Sequence, residues 1–200
     1  EPDPALVQVV HAGAGLAAWQ VGSTDEARAA LDAGCDLVVV QGFEAGGHVH
    51  GDRPLDELLA QVRAMTDRPI VAAGGIGTAA RAAALLAAGA DAVRIGTRFL
   101  ASAEADVHPD YAAALVAASA DDTVVTETFA LGWPDAPHRV LRSSIEASDL
   151  SPAQRLPLPP GRSFDGDVGA AALYAGRSVD AVTGETTAAE IVAEFAAAFV

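Results

Sequence analysis

Within eight consecutive residues, Gln41-Gly42-Phe43-Glu44-Ala45-Gly46-Gly47-His48, the chain gathers a carboxamide, a carboxylate and an imidazole around three glycines. The amide of Gln41 both donates and accepts hydrogen bonds. The imidazole of His48 titrates near neutrality, so it can remove a proton from a carbon acid. Gly46 and Gly47 let a ligand approach the backbone closely. The stretch follows Leu37-Val38-Val39-Val40, an apolar β-branched run that reads as a buried parallel strand. Strand C-termini are where α/β proteins carry their chemistry. On the residues alone, a solvated loop position is an equal alternative for His48. Glu44 reads as a brace for the loop that accepts backbone N–H bonds, and His50 as a rim residue.

The elements that must hold this stretch repeat along the first hundred residues. Pro4 to His11 reads as a helix, Leu16 to Val21 as a strand, and Ser23 or Thr24 caps a helix that stops at Gly34. Pro54 opens a helix with Leu55, Leu58, Leu59 and Val62 on one face. Ile70 to Ala73 is a strand ended by Gly74-Gly75, Thr78 caps a helix running to Gly89, and Ala92 to Ile95 is a strand ended by Gly96-Thr97. Gly34-Cys35-Asp36 and Gly89-Ala90-Asp91 echo one another, each a helix stop followed by an Asp before a strand. Strands alternating with helices imply a parallel sheet.

From Ala101 the pattern changes. Tyr111 to Ser119 reads as a helix, Thr123 to Phe129 as a short strand, Gly132 to His138 as loop and Val140 to Ala147 as helix. Ser151 to Arg162 is Pro-rich and irregular. Asp167 to Ala175 and Thr187 to Val200 read as helices. Residues 101–200 are thus expected to form a helical and irregular lid or closing segment on the 1–100 core, within the same domain.

The chain has 200 residues, 51% of them hydrophobic, which suffices for one sizeable core. Its formal net charge of −15 argues against nucleic-acid and anionic-membrane partners, which reward a basic face. No apolar run is long enough for a membrane span. The single cysteine, Cys35, excludes an internal disulfide, fits a reducing cytoplasmic compartment and reads as a small buried hydrophobe. The carboxylates show no metal-ligand spacing. His11, His108 and His138 belong to no constellation and read as surface or capping residues.

Two glycine-bearing strand ends lie at Gly74-Gly75 and Gly96-Thr97. Either alone is a plain tight turn. Together at adjacent strand ends they read as a phosphate seat built from backbone N–H groups and a helix N-terminus.

Gln41-Gly42-x-Glu44-Ala45-Gly46-Gly47-His48, Ala72-Ala73-Gly74-Gly75-Ile76 and Gly89-Ala90-Asp91-Ala92-Val93-Arg94-Ile95-Gly96-Thr97-Arg98-Phe99-Leu100 together resemble the nitronate monooxygenase (2-nitropropane dioxygenase) family. Asp122-Thr123-Val124 and the stretch Ala175 to Val179 add to the likeness. Ser143-Ser144 departs from it, standing where many relatives carry Arg-Asn. The resemblance implies an FMN-binding (β/α)8 TIM barrel of which this chain is the second half, about four βα units, with the helix at Pro4 preceding the fifth strand. It implies cofactor contacts from Gln41, Gly46, Gly47, Gly74, Gly75, Arg94, Ile95, Gly96 and Thr97, with His48 as the catalytic base. The implied reaction is oxidation of alkyl nitronates or nitroalkanes with O2 to a carbonyl compound and nitrite. The other half of the barrel is expected on the same or a second chain, and a homodimer is compatible. Related FMN-dependent enoyl-acyl-carrier-protein reductases share the glycine-histidine segment but tend to carry Glu at the place of Gln41. A non-catalytic half-barrel that serves as an assembly partner is the third reading.

Overall fold

Short polar side chains start the helices. Ser23 Oγ accepts from the Glu26 N–H at 3.2 Å and Thr78 Oγ1 from the Arg81 N–H at 3.2 Å, each satisfying a donor that the first helical turn leaves free. In the computed structural model, which describes residues 2–133 and 135–199, these caps open α2 (Thr24–Asp32) and α4 (Ala79–Ala87). Pro134, read above as loop, and Val200, read as helix, lie outside the described residues.

Four strands, β1 (Ala18–Val21), β2 (Leu37–Gln41), β4 (Ile70–Ala73) and β5 (Ala92–Arg94), pair in parallel in the order β1-β2-β4-β5. Helices α1 (Pro4–Ala12), α2, α3 (Leu55–Arg63) and α4 alternate with them. The β-branched runs put Val38, Val40 and Ile70 wholly out of water against Leu55, Leu58, Leu59 and Val62 of α3. Burying each such side chain stabilises by about 1.5–3 kcal/mol. Cys35 packs in the same core, as its apolar setting foretells. The two Asp echoes have one physical cause: Asp36 accepts from the Ala17 N–H at 2.7 Å and Asp91 from the Ile70 N–H at 2.8 Å, each pinning the start of the neighbouring strand.

The second hundred residues fold differently from expectation. His138 to Leu141 is a strand, β7, and not the loop end and helix start predicted. It pairs antiparallel with β6 (Thr123–Thr126) and with β3, the two residues Gly47–His48, in a sheet ordered β3-β7-β6. Helix α7 (Arg142–Leu150) follows β7 without a linker, so the apolar Val140 and Leu141 belong to the strand. Asp167 to Ala175 is not a helix: after one 3-10 turn at Val168–Ala170 the chain extends along β7, where Leu141 N–H meets Leu173 O at 2.8 Å. Helix α5 (Thr97–Leu100) leads to α6 (Pro109–Ala117), capped by His108. Helix α8 (Ala188–Ala196) returns Ile191 and Phe195 to the core of the parallel sheet.

Candidate active site

The glycine-rich stretch is held from every side by its own chain. Both ends of the Gln41 amide are engaged: Nε2 donates to His48 O and Oε1 accepts from the His50 N–H, each at 2.9 Å. The carboxylate of Glu44 accepts from the Leu55 N–H at 3.2 Å and so caps α3, the bracing role its position suggests. Arg139, buried on β7, donates through Nη2 at 2.7 Å and Nε at 3.1 Å to the Phe43 carbonyl. Its guanidinium also lies 5.4 Å from the centre of the Phe43 ring. Gly46 crosses the backbone of Ala175 and Gly176 so closely that a Cβ on it would stand 2.4 Å from Gly176 N.

Gly47 then turns the chain. Its φ of +70° is a conformation glycine adopts without strain, and a Cβ there would meet nothing closer than 3.9 Å. The dihedral, not space, demands glycine. As a result Gly46 and His48 face two separate cavities.

The first cavity, about 120 Å3, is lined by Gln41, Gly46, Gly74, Gly75, Arg94, Gly96 and Thr97. The structure thus brings seven of the ten singled-out residues to one place, at the C-terminal ends of β2, β4 and β5. Gln20, Ala45, Ala73, Ile76 and Ser178 also line it, and none of them was singled out as a cofactor contact from the sequence. Gly74 and Gly75 have φ of +101° and +67°. Among the described residues, no hydrogen bond engages the N–H of Gly75 or of Gly96. Thr97 Oγ1 accepts from the Gly176 N–H at 3.0 Å, which leaves its own hydrogen free to donate. Arg94 is exposed, not buried in its strand, and donates to Gln20 Oε1 at 2.8 Å. Ile95 lies outside this cavity and packs against the hydrophobic core.

The second cavity, about 130 Å3, is where His48 points, with His138, Trp133 and Tyr174. His48 stands directly opposite His138 in the β3–β7 pairing. Four rings form a column: Trp133 to His48 at 4.3 Å, His48 to His138 at 3.8 Å, and His138 to Tyr174 at 5.3 Å, the last pair parallel within 6°. Burial, helped by His50, pushes the His48 pKa below its ordinary value of 6.5. Burial, helped by His48, pushes His138 down likewise, against a contact with the Ala136 backbone. Both rings are therefore neutral bases at pH 7. His138 is 2% exposed, so the surface or capping role expected for it is corrected: it is a core partner of His48. The only sequence signal was the polar-apolar run His138-Arg139-Val140-Leu141, which is too short to reveal a strand, and the partner that brings in His48 is 90 residues away.

The model of the family described as "Nitronate monooxygenase" matches residues 1–197. The chain belongs to the nitronate monooxygenase family. It is 36% identical over 199 residues to the nitronate monooxygenase npaC of Metarhizium robertsii, covering 88% of this chain and 56% of that protein. Among solved structures, FabK from Thermotoga maritima superposes with a TM-score of 0.80 at 30% identity, covering 98% of this chain and 64% of that one. The nitroalkane oxidase from Streptomyces ansochromogenes gives a TM-score of 0.80 at 32% identity, covering 99% and 62%. The chain spans about half the length of the curated relatives it matches. Nitronate monooxygenases are a family of flavin oxidoreductases, and these likenesses agree with the α/β architecture and parallel sheet found here. No helix among the described residues is long and apolar enough to cross a membrane.

Proposed function

We propose that this chain carries the FMN phosphate seat and the proton-accepting imidazole of an oxidoreductase that converts alkyl nitronates, with O2, to a carbonyl compound and nitrite. The observation that carries the reading is the pairing of two cavities across one glycine: a backbone-lined pocket on one side of Gly47 and the half-buried His48 imidazole on the other.

The first cavity suits FMN by its donors. Free N–H groups at Gly75 and Gly96 and the Thr97 hydroxyl are what a phosphate dianion needs, and backbone dipoles explain how an acidic chain holds one. Arg94 at the mouth adds a cation. FMN bound there supplies an electron-accepting ring. In this reading Gly46 and Gly47 present backbone toward it, while the Gln41 amide acts indirectly, by holding the loop.

His48 acts on the substrate. A neutral nitroalkane gives its α-proton to the His48 imidazole, whose Nε2 is buried without a hydrogen-bond partner among the described residues. The cavity described here is lined by no charged side chain, so the imidazolium formed is the counter-ion of the nitronate it creates. A preformed nitronate needs no such transfer.

The reading includes further βα units, on the same or a second chain, that pair with the edges β1 and β5 and close a barrel. Curvature supports this: Arg94 on β5 reaches Gln20 on β1 although a flat sheet would hold those strands about 14 Å apart. In the same reading, residues 1–100 are the barrel part and 101–200 its closing segment. Nitrite release from propionate-3-nitronate by the FMN-loaded protein tests the function; flavin bound without nitrite release rejects it.

A further inference from the structure

Among the described residues, the closing segment reaches the first cavity at one position, Ser178. Ser178 sits in the 3-10 turn Arg177–Ala181, and that turn is fastened without its help. Thr97 Oγ1 takes the Gly176 N–H at 3.0 Å just before the turn, and the Arg98 guanidinium donates to Ala181 O at its end. Two consecutive residues of α5 thus grip both ends of it. Asp180 Oδ1 accepts from the Ala120 N–H at 2.8 Å, and Val179 is buried beside Tyr111 and Leu115. Gly77 lets the turn come close: a Cβ on it would stand 2.8 Å from Ala181 Cβ and 3.1 Å from Ser178 Cβ. The hydroxyl of Ser178 takes no part in this. Among the described residues it makes no hydrogen bond, and it is not sealed from solvent. An alanine would hold the turn as well.

The seat beside it has acceptor capacity to spare on its ligand. A terminal phosphate carries three strong acceptor oxygens. The donors counted above, the Gly75 and Gly96 N–H groups and the Thr97 hydroxyl, all come from the rim of the parallel sheet. A serine hydroxyl is one more donor, free to rotate toward its acceptor. We propose that Ser178 donates a hydrogen bond to the phosphate of the bound flavin nucleotide, so that the phosphate bridges the sheet rim and the closing segment. This deepens the proposed function and rests on its phosphate seat, not on its reaction. The ligand class selected is a flavin bearing a terminal phosphate, against the same flavin without one. Because the turn is already in place, the hydroxyl is positioned before the ligand arrives.

FMN and riboflavin are the probes, since they differ only in the phosphate. The flavin-stripped protein is titrated with each and binding is read by flavin fluorescence. The parent is expected to bind FMN the more tightly. Ser178→Ala is expected to weaken FMN about tenfold or more, the worth of a hydrogen bond to a charged group, and to leave riboflavin within twofold. Ser178→Asp sets an anion against the phosphate and weakens FMN further, with riboflavin again unchanged. In the parent, FMN and not riboflavin slows amide exchange at Val179 and Val182, whose N–H groups bond to Gly176 O and Val179 O. An alanine variant that keeps FMN within twofold, one that loses both flavins equally, or exchange alike with the two flavins overturns the proposal. A parent that binds the two flavins alike, or neither, overturns the phosphate seat and this contact with it. Absence of nitrite release with the FMN result intact overturns the proposed reaction and leaves this contact standing.

Discussion

His48 and His138 face each other from paired antiparallel strands with ring centroids 3.8 Å apart, and no carboxylate hydrogen-bonds either ring among the described residues. A base so placed is held neutral by burial rather than poised by an acidic partner. The rings on both sides, Trp133 and Tyr174, fix the orientation of the pair. Proton-transfer chemistry needs that combination of fixed geometry and an unprotonated nitrogen.

The pH dependence follows in sign. Both folded-state pKa values lie below the ordinary 6.5. Above 6.5 both histidines are neutral in folded and unfolded chains, and stability is fully present. As the pH falls below 6.5 the unfolded chain takes up protons that the folded chain refuses, so stability drops until the folded-state values are passed. The melting temperature is expected to fall between pH 7 and pH 5, and His138→Phe to flatten that fall. Equal slopes in parent and variant would contradict this. The acid limb of kcat/KM for a neutral nitroalkane is expected below 6.5 for the same reason.

The glycines divide by what they serve. Gly46→Ala sets a Cβ 2.4 Å from Gly176 N, a backbone atom, and is expected to cost about 1–3 kcal/mol in chemical denaturation. Gly96→Ala meets nothing within 4 Å and has an ordinary φ of −122°, so the fold is expected to keep its stability within about 1 kcal/mol. Its methyl nevertheless projects at a cavity-lining position. FMN affinity, read by flavin fluorescence, is expected to fall about tenfold or more for Gly96→Ala. Unchanged FMN binding there would remove Gly96 from the phosphate seat.

Gln41→Glu keeps the acceptor for the His50 N–H but turns a donor into an anion facing His48 O, now 2.9 Å away. The expected cost is about 1–3 kcal/mol, concentrated in the loop. Amide hydrogen exchange at His50 and Val49 reads it, and protection equal to the parent's would show that the amide does not brace the loop.

Much of the parallel-sheet unit was legible because its signals are local: Ser23 and Thr78 cap helices three residues from the N–H groups they satisfy, and Gly34 and Gly89 end helices at positive φ. The gathering of Gly75, Gly96 and Thr97 was legible too, since a parallel sheet puts all strand C-termini on one rim. The antiparallel sheet was not. A strand of two residues, Gly47 and His48, has no periodicity, and its partner lies 90 residues on. His138 therefore looked like a stray histidine, and Arg139 drew no reading, until the pairing set one against His48 and the other on the Phe43 carbonyl.

Nitrite release from nitroethane and from preformed ethylnitronate, by the FMN-loaded parent and by His48→Asn, tests the central claim most directly. The parent is expected to release nitrite from both. The variant is expected to lose about 100-fold or more on nitroethane, whose proton must be removed, and to keep ethylnitronate turnover within a few fold. Equal losses on both substrates, or no nitrite from the flavin-loaded parent, would contradict the account.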